Sequence, residues 1–109
     1  MKIFFDQGTP VLLQKYLSEY EVGTAFEMEW SRFTDGGLIE AAEAAEFRVL
    51  ITTDQNLRYQ QNLRGQKLSI MVLQSASWPK IQPHLAAIQK AVADIDDGVY
   101  LEVAITDAN

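Results

Sequence analysis

The stretch at residues 48–54, RVLITTD, is the clearest indication of the fold class, because it reads as an apolar strand that ends in an acid. Its apolar centre does not alternate with polar residues, which is typical of a central strand covered on both faces. Other apolar runs precede and follow it. We predict strands at residues 2–5, 21–26, 48–53, 68–73 and 99–105.

Helical patterns separate these strands. Thr9 followed by Pro10 is typical of a helix start, with Thr9 as the N-cap and Pro10 at the first helical position. Residues 38–46 are rich in Ala and Glu and predict another helix. The predicted helices cover residues 10–20, 38–46, 55–63 and the stretch from Pro79 or Pro83 to Ile95.

The alternation of strands and helices predicts an α/β fold. We expect a three-layer α/β/α sandwich around a mainly parallel central sheet, with residues 1–109 in a single domain. A chain of 109 residues is long enough to bury one core.

Composition excludes several kinds of site. The chain has no Cys, which excludes a disulfide framework, a thiolate zinc site, an iron–sulfur cluster and a cysteine nucleophile. Its one His, His84, excludes a multi-histidine metal site. The longest apolar runs have four residues, and the N-terminal stretch lacks a secretory signal pattern. We therefore expect a cytoplasmic protein with no membrane association.

Charge is unevenly distributed along the chain. The formal net charge is −6, which taken alone argues against a nucleic-acid partner. Residues 55–93, however, contain five basic residues and no Asp or Glu. In this stretch we expect Asn56, Arg58, Arg64 and Lys67 to contact the phosphates and sugars of a nucleic acid. The alternative is a solvent-exposed helix that binds no ligand.

Two acids, Asp6 and Asp54, stand directly after predicted strands. In an open parallel sheet, ligands bind outside the carboxyl ends of the strands, where the strand order reverses. Two carboxylates held there repel each other unless a divalent cation offsets their charge, and oxygen ligands suit Mg²⁺ and Mn²⁺. Both acids have structural alternatives, Asp54 as a helix cap and Asp6 as a turn residue. A third acid, Asp35, is most simply the N-cap of the helix at residues 38–46.

Other candidate groups are weaker. Neither of the phosphate-binding patterns GxxxxGK[ST] and GxGxxG occurs in the chain. Trp30 and Trp78 could stack on nucleobases. The alternative for both is a place in the core, where large aromatic side chains more often lie.

Three segments together resemble the small PIN-like domains of the PIN nuclease superfamily, near the toxin nucleases of toxin–antitoxin pairs. They are KIFFDQGTP at residues 2–10, TDGGLIEAAEAAEF at residues 34–47 and RVLITTDQNL at residues 48–57. Each places an Asp at the end of a strand or at the start of a helix. The similarity covers residues 1–73, and the later helix and strand are compatible with it.

The resemblance implies a compact domain with an acidic pocket at the carboxyl edge of the sheet. Members of the family bind Mg²⁺ or Mn²⁺ there and hydrolyse single-stranded RNA. Asp6, Asp35 and Asp54 would be the catalytic, metal-binding acids. Asp6 and Asp54 would bind the cation directly, and Asp35 would bind it through water or orient the attacking water. Many relatives have a further acid where this chain has Asn56, which argues against a second metal ion.

Three hypotheses about function follow. The leading one is a Mg²⁺- or Mn²⁺-dependent ribonuclease that acts on single-stranded RNA, with an antitoxin protein as a candidate partner. The second is a PIN-like binding module with a weakened site, which acts through RNA or a protein partner. The third is a receiver-like phosphoacceptor at Asp54, although no acid adjoins Asp6 and no Lys directly follows a late strand. The apolar edge strand at residues 99–105 also favours a homodimer.

Overall fold

A computed structural model describes residues 1–33, 35–55 and 67–105. These residues form a five-stranded sheet in which every pair of neighbouring strands is parallel. Each strand lies within its predicted range, and the first matches its prediction at both ends. The strands are β1 (Lys2–Phe5), β2 (Glu21–Thr24), β3 (Val49–Thr52), β4 (Ser69–Leu73) and β5 (Tyr100–Val103).

The sheet order is β2-β1-β3-β4-β5, so the strand order reverses between β1 and β3. These two strands pair in register, with Ile3 opposite Val49 and Phe5 opposite Ile51. β3 is buried along its whole length, as expected for a strand covered on both faces. The residues that follow β1 and β3 therefore share one edge of the sheet.

Helices occupy the connections from β1 to β2, from β2 to β3 and from β4 to β5. The predicted long helix that ends near Ile95 is divided, because a 3-10 turn containing Pro83 separates two helical segments. The predicted helix at residues 55–63 lies, beyond Gln55, outside the described residues. No helix in the described ranges combines the length and the apolarity that a bilayer crossing needs. The helices are a 3-10 helix at Val11–Leu17, α1 (Asp35–Ala44), α2 (Trp78–Ile81), a 3-10 helix at Gln82–His84 and α3 (Leu85–Asp94).

Two predicted helix starts are wrong. The helix after β1 is a 3-10 helix whose N-cap is Pro10, and Thr9 does not cap it. The Thr9 hydroxyl instead contacts the Asp6 carboxylate and the Ile51 carbonyl. α1 begins at Asp35 itself, so Asp35 is the first helical residue and not the residue before the helix.

The sheet is covered on both faces. Leu13 and Ile88 pack on one face together with Phe5, which brings the first 3-10 helix and α3 to the same side. Ile39 of α1 packs on the opposite face with Phe4. Successive strand residues point to opposite faces, so Phe4 and Phe5 belong to different cores. The predicted three-layer α/β/α arrangement is confirmed.

The crossover from β4 to β5 differs in hand from the first two. From β1 to β2 the chain moves one way across the sheet, and from β2 to β3 it moves back with its helix on the opposite face. These two crossovers share a hand. From β4 to β5 the chain moves in the same direction as from β2 to β3, yet α3 lies on the face of the first 3-10 helix. The described crossovers therefore include both hands. About 98% of parallel crossovers are right-handed, so at least one of these connections is of the uncommon left-handed kind.

Candidate functional site

Asp6 lies where the strand order reverses. It follows β1 directly, and its backbone N–H donates to the Ile51 carbonyl on β3 at 3.2 Å. The side chain is half-buried at the carboxyl edge of the sheet. Ligands of open parallel sheets bind in this crevice.

Both carboxylate oxygens of Asp6 accept hydrogen bonds. Oδ1 accepts from the Gly8 backbone N–H at 3.2 Å and from the Thr9 hydroxyl at 3.0 Å. Oδ2 accepts a short hydrogen bond from the Thr52 hydroxyl. Each carboxylate oxygen has two lone pairs. The three bonds use both lone pairs of Oδ1 and one of Oδ2, so the second lone pair of Oδ2 can bind a further ligand.

Thr52 links the two acids that follow the strands. Its side chain is fully buried, and its hydroxyl donates to Asp6 and accepts from the Asp54 backbone N–H at 3.0 Å. A hydroxyl has one proton and two lone pairs, so both bonds can exist at once. Thr52 thereby fixes the backbone of half-buried Asp54 relative to the Asp6 carboxylate.

Thr9 has two competing acceptors. Its hydroxyl oxygen lies 3.0 Å from Asp6 Oδ1 and 2.8 Å from the Ile51 carbonyl oxygen. The single hydroxyl proton can be donated fully to only one of them. When it goes to Ile51, a Thr9 lone pair faces Asp6, and a protonated Asp6 could donate to it.

The pKa of the Asp6 carboxyl lies above its ordinary value of 3.8. Burial is the main cause, because it disfavours the charged form. Hydrogen bonds from Thr52, Thr9 and Gly8 lower this pKa, and the charge of Asp54 raises it further. The carboxylate therefore carries an unfavourable negative charge that a cation would offset.

We expect metal-free protein to lose stability relative to its Asp6→Asn variant as the pH rises above 3.8. Because the folded state raises the pKa of Asp6, it holds this proton more tightly than the unfolded state does. The resulting stabilisation is complete below the unfolded pKa and is lost as the pH rises through the folded pKa. Urea unfolding of both proteins at a series of pH values isolates this effect, since the other acids titrate in both.

A second variant tests the cause of this pH dependence. Thr52→Val removes the strongest hydrogen bond that lowers the pKa of Asp6, so the loss of stability should extend to higher pH. A wild-type stability that rises with pH relative to that of Asp6→Asn would contradict the raised pKa.

The structure places the other predicted site residues differently. Leu38, one turn into α1, lines the same cleft as Asp6, so the start of α1 at Asp35 lies at the carboxyl edge. The Asp35 side chain lies outside the described part of the chain. Lys67 comes just before β4, and parallel strands put it at the opposite, amino edge. Three predicted nucleic-acid contacts lie outside the described residues: Asn56, Arg58 and Arg64.

The described acids fit a cation only in part. Within residues 1–33, 35–55 and 67–105, no group of three or more His, Cys, Asp or Glu side chains is placed to hold a metal ion. Asp6 and Asp54 supply two carboxylates, and oxygen donors of this kind suit Mg²⁺ and Mn²⁺. A mononuclear Mg²⁺ site often needs no more than one or two carboxylates, because the ion keeps several of its waters.

Two adjoining clefts of about 150 and 200 Å³ open beside Asp6. The first extends to Phe33 and is called the Phe33 cleft; the second extends to Phe26 and is called the Phe26 cleft. Neither ring is among the site residues predicted from the sequence, although the predicted strand at residues 21–26 ends at Phe26 and two further aromatic residues, Trp30 and Phe33, follow it. The residues that line both clefts are Asp6, Gln7, Ala25 and Ser31.

Gly8 lies close to Thr53, the residue that follows β3, so a side chain at position 8 would be crowded. A Cβ atom at this position would lie 2.7 Å from the Thr53 hydroxyl oxygen. Thr53 or the loop would have to move to accept it. The glycine thus lets the Gly8 N–H reach the Asp6 carboxylate.

A larger cleft of about 310 Å³ lies at the amino edge, but three of the charged side chains that line it are bonded within the chain. The Glu43 carboxylate accepts from the backbone N–H groups of Lys67 and Leu68. Lys2 donates to the Ala45 carbonyl at 2.8 Å, and Arg48 pairs with an acid on the turn before β5. The carboxyl edge is the stronger candidate because Asp6 lines two open clefts there.

Comparison with protein-family models, with curated proteins and with solved structures finds no match to this chain. The resemblance to PIN-like domains therefore rests on the three sequence segments alone. The parallel sheet and the positions of Asp6 and Asp54 are compatible with it.

Proposed function

We propose that the chain is a Mg²⁺- or Mn²⁺-dependent ribonuclease that hydrolyses single-stranded RNA. The observation that supports it most is the pair of acids, Asp6 and Asp54, linked through Thr52 where the strand order reverses. The start of α1 brings the backbone of Asp35 to the same edge. All three acids quoted for the resemblance thus belong to the carboxyl edge.

The three acids have different roles in the proposed site. Asp6, through Oδ2, and Asp54 would hold the cation, and Asp35 would hold it through water or orient the attacking water. When bound, the cation would polarise the phosphodiester and lower the pKa of its water. Gly8 and Thr9 keep Oδ1 of Asp6 in place, so that Oδ2 would be the oxygen that takes the cation.

Two partners belong to the same proposal. An antitoxin protein would block the clefts beside Asp6, since covering them would exclude RNA. A homodimer would pair through β5, which is an edge strand of the sheet. Size-exclusion chromatography with light scattering measures the second of these directly.

A binding module without catalysis is the second candidate function. It is favoured by the lack, among the described residues, of a group of three ligating side chains. Asn56, in place of the further acid of many relatives, favours it as well. Such a module would bind RNA or a protein with no dependence on Mg²⁺.

Incubation of the protein with a labelled single-stranded oligoribonucleotide distinguishes the two functions. We expect cleavage with Mn²⁺ and none with EDTA, and a duplex of the same sequence should be resistant. Binding that is equal with and without Mn²⁺, with no cleavage, would support the binding module instead. Neither binding nor cleavage would reject both.

A further inference from the structure

The loop between β2 and α1 places three aromatic side chains beside Asp6. Phe26 is 85% exposed and Phe33 is 48% exposed, whereas Trp30 is half-buried. The Phe33 ring stacks on Trp30 with centroids 6.1 Å apart and planes 13° apart. Exposed rings forgo the burial that stabilises a core, and clustered ones are typical of binding surfaces.

Two of these rings, Trp30 and Phe33, are supported by the core. Trp30 packs against Phe4 and Phe47, with centroid distances of 5.2 and 6.1 Å. The backbone N–H of Trp30 donates to the Ala25 carbonyl at 2.9 Å, and the backbone N–H of Phe33 donates to the Trp30 carbonyl at 3.1 Å. A ligand that stacks on Phe33 would therefore meet a platform that is already in position, which lowers the entropic cost of binding.

Hydrogen-bonding groups stand between the exposed rings. Gln7 and Ser31 line both the Phe33 cleft and the Phe26 cleft, and so does Asp6. An amide and a hydroxyl can each donate and accept, as the edges of nucleobases require. The two rings thus flank a polar centre that contains the proposed catalytic acid.

Charge favours contact through bases over contact through phosphates alone. Arg32 lines the surface next to Phe26, but Glu27 and Glu29 line it too. These acids and Asp6 repel a bare phosphate, whereas an aromatic ring attracts the π face of any base. Bases in a duplex keep their faces stacked on each other, so only unpaired bases can bind in this way.

We infer that the Phe33 and Phe26 clefts bind unpaired nucleobases on either side of the phosphate at Asp6. Phe33, backed by Trp30, stacks on one base, and Phe26 stacks on the other. Gln7 and Ser31 bond to base edges. This inference rests on the proposed function, because it deepens the RNA substrate of that same site.

Binding in EDTA tests the inference without cleavage. The probe is a short fluorescent single-stranded oligoribonucleotide, compared by anisotropy with an abasic sugar–phosphate oligomer of equal length. We expect Phe33→Ala and Phe26→Ala each to weaken binding about 5- to 100-fold. Phe33→Trp should bind the oligoribonucleotide like the wild type, because it keeps an aromatic ring, and the abasic oligomer should bind weakly to every protein.

Leu12→Ala is the matched control, because Leu12 is 45% exposed and lines neither cleft. It should bind like the wild type, and circular dichroism checks that every variant is folded. Equal binding of the abasic oligomer, wild-type affinity in both Phe→Ala variants, or no measurable binding by the wild type would overturn the inference.

The outcomes also separate this inference from the proposed function. Base-dependent binding that is lost in Phe33→Ala, without cleavage in Mn²⁺, would support the clefts and reject the ribonuclease. Cleavage in Mn²⁺ with an unchanged KM in Phe33→Ala and Phe26→Ala would support the ribonuclease and reject the clefts.

Discussion

Asp6→Asn is expected to abolish saturable Mn²⁺ binding and to slow RNA cleavage about a thousandfold or more. Asn keeps one oxygen for the Gly8 N–H and the Thr9 hydroxyl, but it loses the charge and the acceptor at Oδ2. Isothermal titration with Mn²⁺ and a cleavage assay measure the two losses. In the wild type, Mn²⁺ at about a hundred times its Kd should add about 2.7 kcal/mol to the stability, and the variant should gain none.

Two further variants make this result specific. Asp54→Asn should show the same losses, since its carboxylate is the second proposed ligand and Thr52 fixes its backbone relative to Asp6. Asp96→Asn is the matched control, because Asp96 is exposed and lies on the turn before β5, at the amino edge. Saturable Mn²⁺ binding that survives in Asp6→Asn and Asp54→Asn would reject the proposed metal site.

Phe4→Ala is expected to destabilise the fold by about 3–5 kcal/mol. Phe4 is fully buried on β1, and its ring lies 5.2 Å from Trp30 and 5.4 Å from Phe47 between centroids. Small domains are stable by about 5–15 kcal/mol, so this loss could exceed half the total. Urea unfolding followed by tryptophan fluorescence measures the change.

Phe26→Ala is the matched control for this prediction. The same atoms are removed, but the ring is 85% exposed, so the stability should change by no more than about 0.5 kcal/mol. Equal losses in the two variants would mean that the aromatic cluster around Phe4 does not support the core. A stable Phe4→Ala protein would also weaken the case for a rigid Trp30 platform.

The strands could be predicted from the sequence because their signals are local. β1 matches its prediction at both ends, since Asp6 and Gly8 interrupt the apolar run at once. β3 has no polar alternation because both of its faces are buried. The predicted N-cap at Thr9 is wrong because its contact is not local. The Thr9 hydroxyl contacts the carbonyl of Ile51, which lies 42 residues away in the sequence. No local pattern reveals such a competitor.

Only part of the candidate site could be predicted. Asp6 and Asp54 follow from the rule that parallel strands present their carboxyl ends at one edge. Thr52 could not be singled out, because Thr is an ordinary strand residue and its role depends on two acids from different strands. Of the two tryptophans, Trp30 both joins the core and lines the Phe33 cleft, whereas Trp78 packs beside Tyr16 at 5.9 Å.

The all-parallel sheet also determines how the chain can reach its native state. Parallel neighbours cannot be joined by a hairpin, and even the pairing closest in sequence joins Lys2 to Glu21. The entropy of closing such loops must be overcome before any strand pairing stabilises the chain, which slows folding. Until β3 and β5 pair with it, the apolar segment SIMVL of β4 has unpaired edges and is prone to aggregation. Nascent chains would therefore benefit from a chaperone that covers this segment until the sheet has formed.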